Sequence, residues 1–260
     1  MPMEREILLE RGGLLTPIYV SEPKIGAPAR LVLGVHGIGG SAEDAIQVGI
    51  AEEMALFSAV TVRFDFPGHG KNPMTDEAFS VKNCVTTLLE AASWAREEYP
   101  QVEDLCVFAT GFGAYITLLA VEQLLQLPGK LKLVVQTPSV LMHETLLAML
   151  SRSRETFRVM DSFTFPVERP LTVHYGFWEE LRENIALNTY PIPMLILHGE
   201  EDAYIRLSDI RQLRRINEDA KLVFIPGASH RFQEDGAWDM VLDLTRDWFA
   251  FEQVLVCDWE

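Results

Sequence analysis

The sequence predicts an α/β fold in which helices cover both faces of a mostly parallel, eight-stranded sheet. Strand-like and helix-like segments alternate along nearly all of the 260 residues, the pattern of βα units joined by right-handed crossovers. Several strands are continuous apolar runs, as expected for strands buried on both faces. Hydrophobic residues make up 48% of the chain, enough to fill a large core. We therefore expect a single domain spanning residues 1–260.

The chain begins with a predicted β-hairpin. Two short strands joined by a Gly-Gly turn account for residues 4–20. The next strand, residues 30–37, is a continuous apolar run that ends in glycine, as is typical of a buried parallel strand. Residues 41–58 follow with helical spacing, and Ser41 is the predicted N-cap of that helix.

The same alternation continues through the middle of the chain. One helix has the apolar spacing of a strongly amphipathic segment, and strand-like runs flank it on both sides. Each strand–helix–strand unit predicts another parallel pair in the sheet. The predicted segments are strand 59–66, helix 80–99, strand 104–110, helix 112–127 and strand 131–138.

The alternation breaks over residues 139–190. This segment holds two helix-like pieces, 141–155 and 177–187, with an irregular stretch at 157–176 between them. Ligands of parallel sheets bind at the carboxyl ends of the strands, so we interpret 139–190 as a small cap insertion over that edge. The alternation then resumes with strand 193–199, helix 207–217, strand 221–227 and helix 237–254.

The charge of the chain excludes several classes of partner. Lys and Arg number 22 against 38 Asp and Glu, for a formal net charge of −16. An acidic surface repels phosphate backbones and anionic lipid, so we expect no nucleic-acid partner and no docking on membranes. The chain has no apolar run long enough to span a bilayer, and its acidic start lacks the features of a signal peptide. We expect a cytoplasmic protein.

Cysteine and histidine placement argues against disulfides and metals. Cys84, Cys106 and Cys257 are far apart and odd in number, which does not suit a disulfide framework. The six histidines are scattered, with no HxxxH or CxxC spacing. We expect neither a metal nor another cofactor. The sequence does not fix the oligomeric state.

Two glycine-rich stretches follow predicted strands. VHGIGGS, residues 35–41, contains glycines that let the backbone expose its N–H groups, which can hold a developing oxyanion. It could equally be a plain strand-to-helix turn, and its glycine spacing does not match a dinucleotide-binding fingerprint. FDFPGHGKN, residues 64–72, forms a tight loop, and His69 within it is interpreted as a turn element rather than a catalytic residue.

Two later strand ends carry an acid and a histidine. LILHGEEDAYI, residues 195–205, leaves a buried strand and runs into three acidic residues, of which a carboxylate could orient a histidine. Alone, this could be a solvated acidic loop. IPGASHRF, residues 225–232, places His230 in a small-residue turn one strand later.

A sharp strand-to-helix turn lies at the middle of the chain. Residues 109–113 read ATGFG, with a strand before them and an apolar helix after them. A hydrolase would carry its nucleophile at the centre of such a turn. The central residue here is Gly111, which has no side chain.

These stretches, in this order, resemble the α/β-hydrolase family, and the resemblance covers nearly the whole chain. HG after the third strand is similar to the family's oxyanion turn, and DFPGHG is similar to the D-x-x-G-H-G loop of its esterases and lipases. The resemblance implies Asp202 as the catalytic acid and His230 as the base. It also implies oxyanion donors at the backbone N–H groups of Ile38 and Phe112. The cap is similar to those of feruloyl-esterase-like and monoglyceride-lipase-like members, which implies a small-molecule ester or apolar ligand.

The chain departs from the family at the turn itself. The family pattern is G-x-S-x-G, whereas this chain has Ala109 at the first position and Gly111 in place of the serine. Glycine cannot form an acyl-enzyme, so the implied triad is degenerate. Glycine also relieves the strain of such a turn, typically ~1–3 kcal/mol for a residue with a side chain. An engineered serine-to-glycine change and natural divergence both fit, and the altered first glycine favours divergence.

Three functions are compatible with these residues. The first, which we favour, is an esterase-derived hydrolase without its nucleophile, in which His230 would act as general base on water. The second is a pseudoenzyme that binds an apolar ligand or a protein partner. The third is general-base chemistry by Asp202 and His230 without a covalent intermediate. Other hydroxyl groups lack the central position in the turn, and the cap is rich in aromatic residues that could be either its core or ligand contacts. The hydroxyl residues are Thr110, Ser139 and Ser229; the aromatic residues are Phe157, Phe163, Phe165, Tyr175, Phe177 and Trp178.

Overall fold

All eight predicted strands are present, and they form one sheet. The structure is a computed structural model, and it describes residues 2–251. Two further strands pair with each other in a separate sheet that the sequence did not predict. The strands are β1 (Met3–Arg11), β2 (Leu14–Glu22), β3 (Arg30–Val35), β4 (Ala59–Phe64), β5 (Asp104–Thr110), β6 (Lys130–Gln136), β7 (Ser162–Phe165), β8 (Leu171–His174), β9 (Met194–Gly199) and β10 (Lys221–Ile225).

Helices fill the connections between the strands. The longest of them follows the predicted amphipathic pattern and begins at a serine N-cap, whose hydroxyl accepts a hydrogen bond from the backbone N–H of Asn83. The described helices are α1 (Ala45–Leu56), α2 (Val81–Glu98), α3 (Phe112–Leu119), α4 (Val121–Leu124), α5 (Met142–Leu150), α6 (Arg154–Met160), α7 (Tyr175–Glu183), α8 (Leu207–Ile216) and α9 (Ala237–Phe251).

The topology brings the motif-bearing loops to one edge of the sheet. The strand order is β1-β2-β4-β3-β5-β6-β9-β10. The predicted hairpin β1–β2 is antiparallel, and β2 also pairs antiparallel with β4. The remaining pairs are parallel. Because parallel strands point the same way, the loops after β3, β5, β9 and β10 all emerge at their shared carboxyl edge.

A hydrophobic core lies on each face of the sheet. Alternate residues of one strand face opposite sides, so Val107 of β5 belongs to the core that packs against α2, while Phe108 belongs to the core that packs against α1 and α9. Helices therefore cover both faces, as predicted, and the central strands are buried except at the ends of β3 and β5. Burial on both faces explains why these strands are continuous apolar runs in the sequence.

Two predicted helix boundaries are wrong in the first half of the chain. Ser41 is not the N-cap of α1, because its hydroxyl accepts a hydrogen bond from Glu43 N and closes a local turn. The helix begins only after Asp44. The predicted helix 112–127 is two helices, since the backbone departs from helical geometry at Ala120, where φ is −94° and ψ is 0°.

The segment 139–190 differs more from its prediction. The helix expected at 141–155 is divided into α5 and α6, because Ser151 adopts a left-handed conformation and ends α5. Ser153 then caps α6 by accepting a hydrogen bond from Thr156 N. The stretch at 157–176 that was expected to be irregular contains the antiparallel hairpin β7–β8. Its interpretation as a cap insertion stays a prediction.

Other expectations concern membranes and cysteines. Within residues 2–251, none of the helices has the length and apolar character needed to cross a bilayer. Cys84 and Cys106 are buried. Cys257 and the predicted end of the last helix, residues 252–254, lie outside the described residues.

Candidate active site

The strand-to-helix turn between β5 and α3 has Gly111 at its centre. This residue adopts φ +50° and ψ −110°, a conformation that strains any residue with a side chain. Its backbone N–H donates to the carbonyl of Gln136 on the neighbouring strand, which fixes the turn at the carboxyl edge of the sheet. The helix begins at the next residue, Phe112, so the turn is tight and its N-terminal N–H groups face the edge.

The space beside Gly111 is open. Among the described residues, a Cβ atom built here would have one neighbour within 4 Å outside the adjoining residues, the Nε2 atom of His230 at 3.8 Å. A hydroxyl-bearing side chain at this position would therefore project toward the imidazole. Packing does not require a glycine here, although the positive φ favours one.

Gly113, two residues further on, has no such space. A Cβ atom at this position would lie 2.4 Å from the carbonyl oxygen of His36 and 2.6 Å from that of Val35. Only glycine permits helix α3 to approach the end of β3 this closely. This contact sets the distance between the strand-to-helix turn and the loop after β3.

The loop after β3 is held by His36. Its Nε2 atom accepts a hydrogen bond from Phe66 N at 3.1 Å, so the proton lies on Nδ1, which donates to the Gly37 carbonyl at 2.7 Å. His36 is fully buried and both ring nitrogens are used, so it positions the loop and is not available as a base. Among the described residues, the backbone N–H groups of Ile38 and Phe112 have no hydrogen-bond acceptor.

Asp202 and His230 are brought together, although they lie on different loops. Nδ1 of His230 is 2.8 Å from Oδ2 of Asp202. Asp202 Oδ1 accepts hydrogen bonds from the backbone N–H groups of Tyr204 and Ile205, at 2.8 and 3.0 Å. The Asp202 side chain has no solvent exposure, while that of His230 keeps 16%. A carboxylate held in this way can orient an imidazole and stabilise its charged form.

The surroundings of Asp202 keep its carboxylate ionised. Burial alone would raise its pKa, but the hydrogen bond and charge interaction with His230 and the two backbone N–H donors outweigh burial, so the pKa of Asp202 is lowered. With an aspartate on Nδ1, the His230 proton lies on that atom and Nε2 is left to face Gly111. A neutral imidazole in this tautomer can accept a proton at Nε2.

The glycine loop after β4 is structural. The carboxylate of Asp65 accepts hydrogen bonds from Ala42 N at 2.7 Å, Lys71 N at 2.8 Å and the Tyr19 hydroxyl at 3.0 Å. His69 is buried, and its Nδ1 donates to the Pro67 carbonyl at 2.9 Å, consistent with a turn element. Burial lowers the pKa of His69 to about 3, so this ring stays neutral.

The other hydroxyl candidates lie around the turn. Thr110 Oγ1 lies beside Gly37, 3.6 Å from where a Cβ on that glycine would be. Ser139 is buried, and its N–H donates to the Gly111 carbonyl at 3.5 Å. The Ser229 side chain hydrogen-bonds the Glu234 carboxylate and thereby lowers the pKa of Glu234.

The aromatic residues between positions 157 and 178 divide into two groups. Phe157, Tyr175, Phe177 and Trp178 are buried and belong to the main core, whereas Phe163 and Phe165 on β7 are only partly buried. Phe177 is 6.2 Å from Phe112 between ring centroids, which joins α7 to the strand-to-helix turn.

Sequence reasoning missed three residues near this site. The Tyr204 ring stands edge-on to His230 with centroids 5.3 Å apart, and its position two residues after Asp202 could have suggested this contact. Burial lowers the pKa of His198, and its effect exceeds the opposing effect of Asp202. Arg169, on the β7–β8 hairpin, reaches the loop after β4; nothing in its local sequence indicates that contact.

Fold and site together define a class of α/β protein in which strand-end loops deliver a histidine–carboxylate pair to a strand-to-helix turn. Residues 32–244 match the family model described as "Alpha/beta hydrolase family". Because this match covers more than half of the chain, the protein belongs to the alpha/beta hydrolase family. None of the curated proteins matches the chain by sequence.

Solved structures show the same fold at low sequence identity. Est1E from Butyrivibrio proteoclasticus, in a structure with bound ferulic acid, is similar at a TM-score of 0.78 with 20% identity, covering 93% of this chain and 97% of Est1E. A putative hydrolase from Agrobacterium vitis S4 gives a TM-score of 0.75 at 17% identity, covering 96% and 99%. Mouse alpha/beta hydrolase domain-containing protein 10 gives 0.73 at 15%, covering 94% and 97%.

Proposed function

We propose that this protein derives from a serine esterase and that Gly111 occupies the position of the lost nucleophile. The observation that carries this proposal is the open space at Gly111, where an added Cβ would lie 3.8 Å from Nε2 of His230. Nδ1 of the same imidazole is bound to Asp202 at 2.8 Å. The Asp202 carboxylate, the His230 imidazole and the open position at Gly111 thus lie in the order acid, base and nucleophile that a serine triad requires. On this reading, residues 139–190 form a cap over the site.

In the proposed reaction, a water molecule takes the place of the serine hydroxyl. His230 accepts a proton from that water, and the hydroxide equivalent attacks the ester carbonyl. Asp202 stabilises the imidazolium that forms. The backbone N–H groups of Ile38 and Phe112 donate to the oxyanion, and His230 returns the proton to the departing alcohol. Sites of this kind retain on the order of 10³–10⁴-fold rate enhancement over water without the nucleophile.

The proposed substrate is an ester of an apolar or aromatic acid. The half-buried aromatic rings of Phe163 and Phe165 lie in the segment that would form the cap. The structural similarity to Est1E, which was solved with ferulic acid, supports hydroxycinnamoyl esters as the first group to test. Short p-nitrophenyl esters provide a less selective comparison.

The test is ester hydrolysis by the unaltered protein, Gly111→Ser, His230→Ala and the double variant. We expect slow hydrolysis by the unaltered protein that His230→Ala abolishes, and a much faster rate for Gly111→Ser that also requires His230. If the faster rate of Gly111→Ser is lost in the double variant, it depends on His230 and comes from the triad. If the faster rate persists, the new serine reacts without His230. Folding of each variant is checked by its thermal transition. Rates equal to buffer for all four folded proteins would refute the proposal for these esters.

A second candidate function is binding without catalysis. The open space at Gly111 faces the imidazole of His230, and the N–H of the next residue, Phe112, has no acceptor among the described residues. Donors of this kind suit a carboxylate once His230 is protonated. A free aromatic acid such as ferulate would then be a ligand rather than a product. Calorimetric binding of ferulate that is weakened by His230→Ala, in a protein that hydrolyses none of the esters, would favour this function.

A further inference from the structure

The tip of the β7–β8 hairpin lies directly on the loop after β3. A Cβ atom added to Gly39 would be 3.0 Å from Cγ1 of Val167, so the valine side chain packs onto this glycine. Gly39 follows Ile38, whose N–H group is a proposed oxyanion donor. Val167 therefore brings the 139–190 segment against the oxyanion side of the proposed site.

Arg169 fixes this tip in place. Its guanidinium donates to the backbone carbonyls of His69 at 3.2 Å, Gly70 at 3.3 Å and Met74 at 2.8 Å, and also to that of Asn72. Within the described part of the chain it has no carboxylate partner. Charge-assisted hydrogen bonds to four carbonyls of one loop hold the planar group in a single orientation.

The second strand of the hairpin is bound to the same loop. Thr172 N donates to Asp76 Oδ2 at 3.0 Å. Leu171 packs on Gly68, with its Cδ1 3.2 Å from where a Cβ on that glycine would lie. The loop is itself fastened to the sheet through Asp65 and through the His36–Phe66 hydrogen bond. The hairpin tip is therefore anchored to a loop that is itself hydrogen-bonded to the sheet.

We propose that Val167 is a specificity-determining residue, which limits the size of the group that fits on the oxyanion side of the site. Arg169 is the positioning residue that holds Val167 there. This proposal rests on the proposed function, because it assumes that a substrate carbonyl lies at the Ile38 and Phe112 N–H groups. It adds to the proposed function that the side chain of Val167 closes one side of the site.

The test of specificity uses Gly111→Ser as the background, so that hydrolysis is readily measured. The ratio of kcat/KM for p-nitrophenyl octanoate to that for the acetate is compared across Val167→Ala, Val167→Phe, Arg169→Ala and Arg169→Lys. We expect Val167→Ala to raise the ratio about 10-fold, as the removal of methyl groups from a pocket wall does. Val167→Phe should lower it by a similar factor. Arg169→Ala should raise it, with Arg169→Lys in between.

A ratio of two substrates is insensitive to the folded fraction, so a purely structural role would leave it unchanged. The matched control is Val159→Ala, since Val159 lies in the same segment and is 82% exposed. Its ratio should equal that of the background. Ratios for both Val167 variants within twofold of the background would overturn the specificity role.

Amide hydrogen exchange provides a readout that needs no activity. In the otherwise unaltered protein, exchange of residues 36–42 should accelerate at least several-fold in Arg169→Ala and Val167→Ala, and not in Val159→Ala. Unchanged exchange in both variants would show that the tip does not cover the loop and would overturn the proposal. If Gly111→Ser hydrolyses nothing but exchange accelerates as expected, the proposed function fails while the covering contact stands.

Discussion

Two glycines in one turn, Gly111 and Gly113, differ in their surroundings: one has space for a side chain and the other has none. The nearest atom that the structure places beside an added Cβ on Gly111 is His230 Nε2 at 3.8 Å, whereas on Gly113 the Cβ would be 2.4 Å from a backbone carbonyl oxygen. Gly113 is required by the approach of α3 to β3. Gly111 is favoured only by its φ of +50°.

On our proposal, this difference separates what the turn has retained from what it has lost. Gly113, which lets α3 approach β3, is present, and so is His230, which faces the turn. The position between them has room for a side chain and contains none. On our proposal, the missing hydroxyl is therefore a chemical loss in a site whose framework is intact.

Gly113→Ala should produce the largest effect. The new methyl group would meet the carbonyl oxygens of Val35 and His36, which belong to a buried strand end and cannot move independently. We expect a loss of about 3 kcal/mol or more in the free energy of unfolding, measured by urea denaturation. The matched control is Gly176→Ala in helix α7, where an added Cβ has no neighbour within 4 Å in the part of the chain that the structure describes. That variant should be as stable as the unaltered protein or slightly more stable.

Gly111→Ala should have a smaller effect of different origin. It has space for the methyl group, so its cost is the strain of a side chain at positive φ, about 1–3 kcal/mol. Gly111→Ser should lose a similar amount, less whatever its hydroxyl recovers by hydrogen-bonding His230. Urea denaturation of both variants gives the difference. A loss as large as that of Gly113→Ala would contradict the contrast between the two positions.

Gly34→Ala tests whether an added methyl group is as costly when it meets side-chain atoms as when it meets backbone atoms. An added Cβ in β3 would lie 2.6 Å from Gln47 Oε1 and 2.8 Å from Arg63 Cγ, both of which are side-chain rather than backbone atoms. We expect a loss of about 1–2 kcal/mol, because the methyl group displaces these side chains without shifting a strand. If the loss exceeded that of Gly113→Ala, side-chain obstacles would be as rigid here as backbone ones.

Ala109→Gly should have the smallest effect. Ala109 is fully buried beside the turn, and the change restores the first glycine of the family pattern. Loss of one buried methyl group and the greater freedom of glycine in the unfolded chain each cost on the order of 1 kcal/mol or less. Hydrolysis by the Gly111→Ser protein should change less than twofold when Ala109→Gly is added. A large gain would mean that the first position also limits the site.

Periodicity and strand-end motifs predicted much of the fold. Continuous apolar runs such as 30–37 and 59–66 indicated buried parallel strands because burial on both faces leaves no polar alternation. The motif order suggested that Asp202 and His230 would meet, and they lie 2.8 Å apart. Their catalytic roles stay predictions.

The remainder depends on contacts that local sequence does not encode. The β7–β8 hairpin was missed because its strands are only four residues each and β7 has no fully buried residue to mark it as a strand. Arg169 was missed because its partners are carbonyls about 100 residues away. The space beside Gly111 could not be predicted either, since it depends on where the loop bearing His230 comes to lie.

The measurement that tests the central proposal most directly is labelling by a serine-directed fluorophosphonate, followed by intact-protein mass spectrometry. We predict that Gly111→Ser becomes labelled at residue 111 to one equivalent, that adding His230→Ala slows this labelling at least 100-fold, and that the unaltered protein is not labelled there. Labelling that is equally fast with and without His230, or absent from a correctly folded Gly111→Ser protein, would contradict the proposal that only the nucleophile is missing.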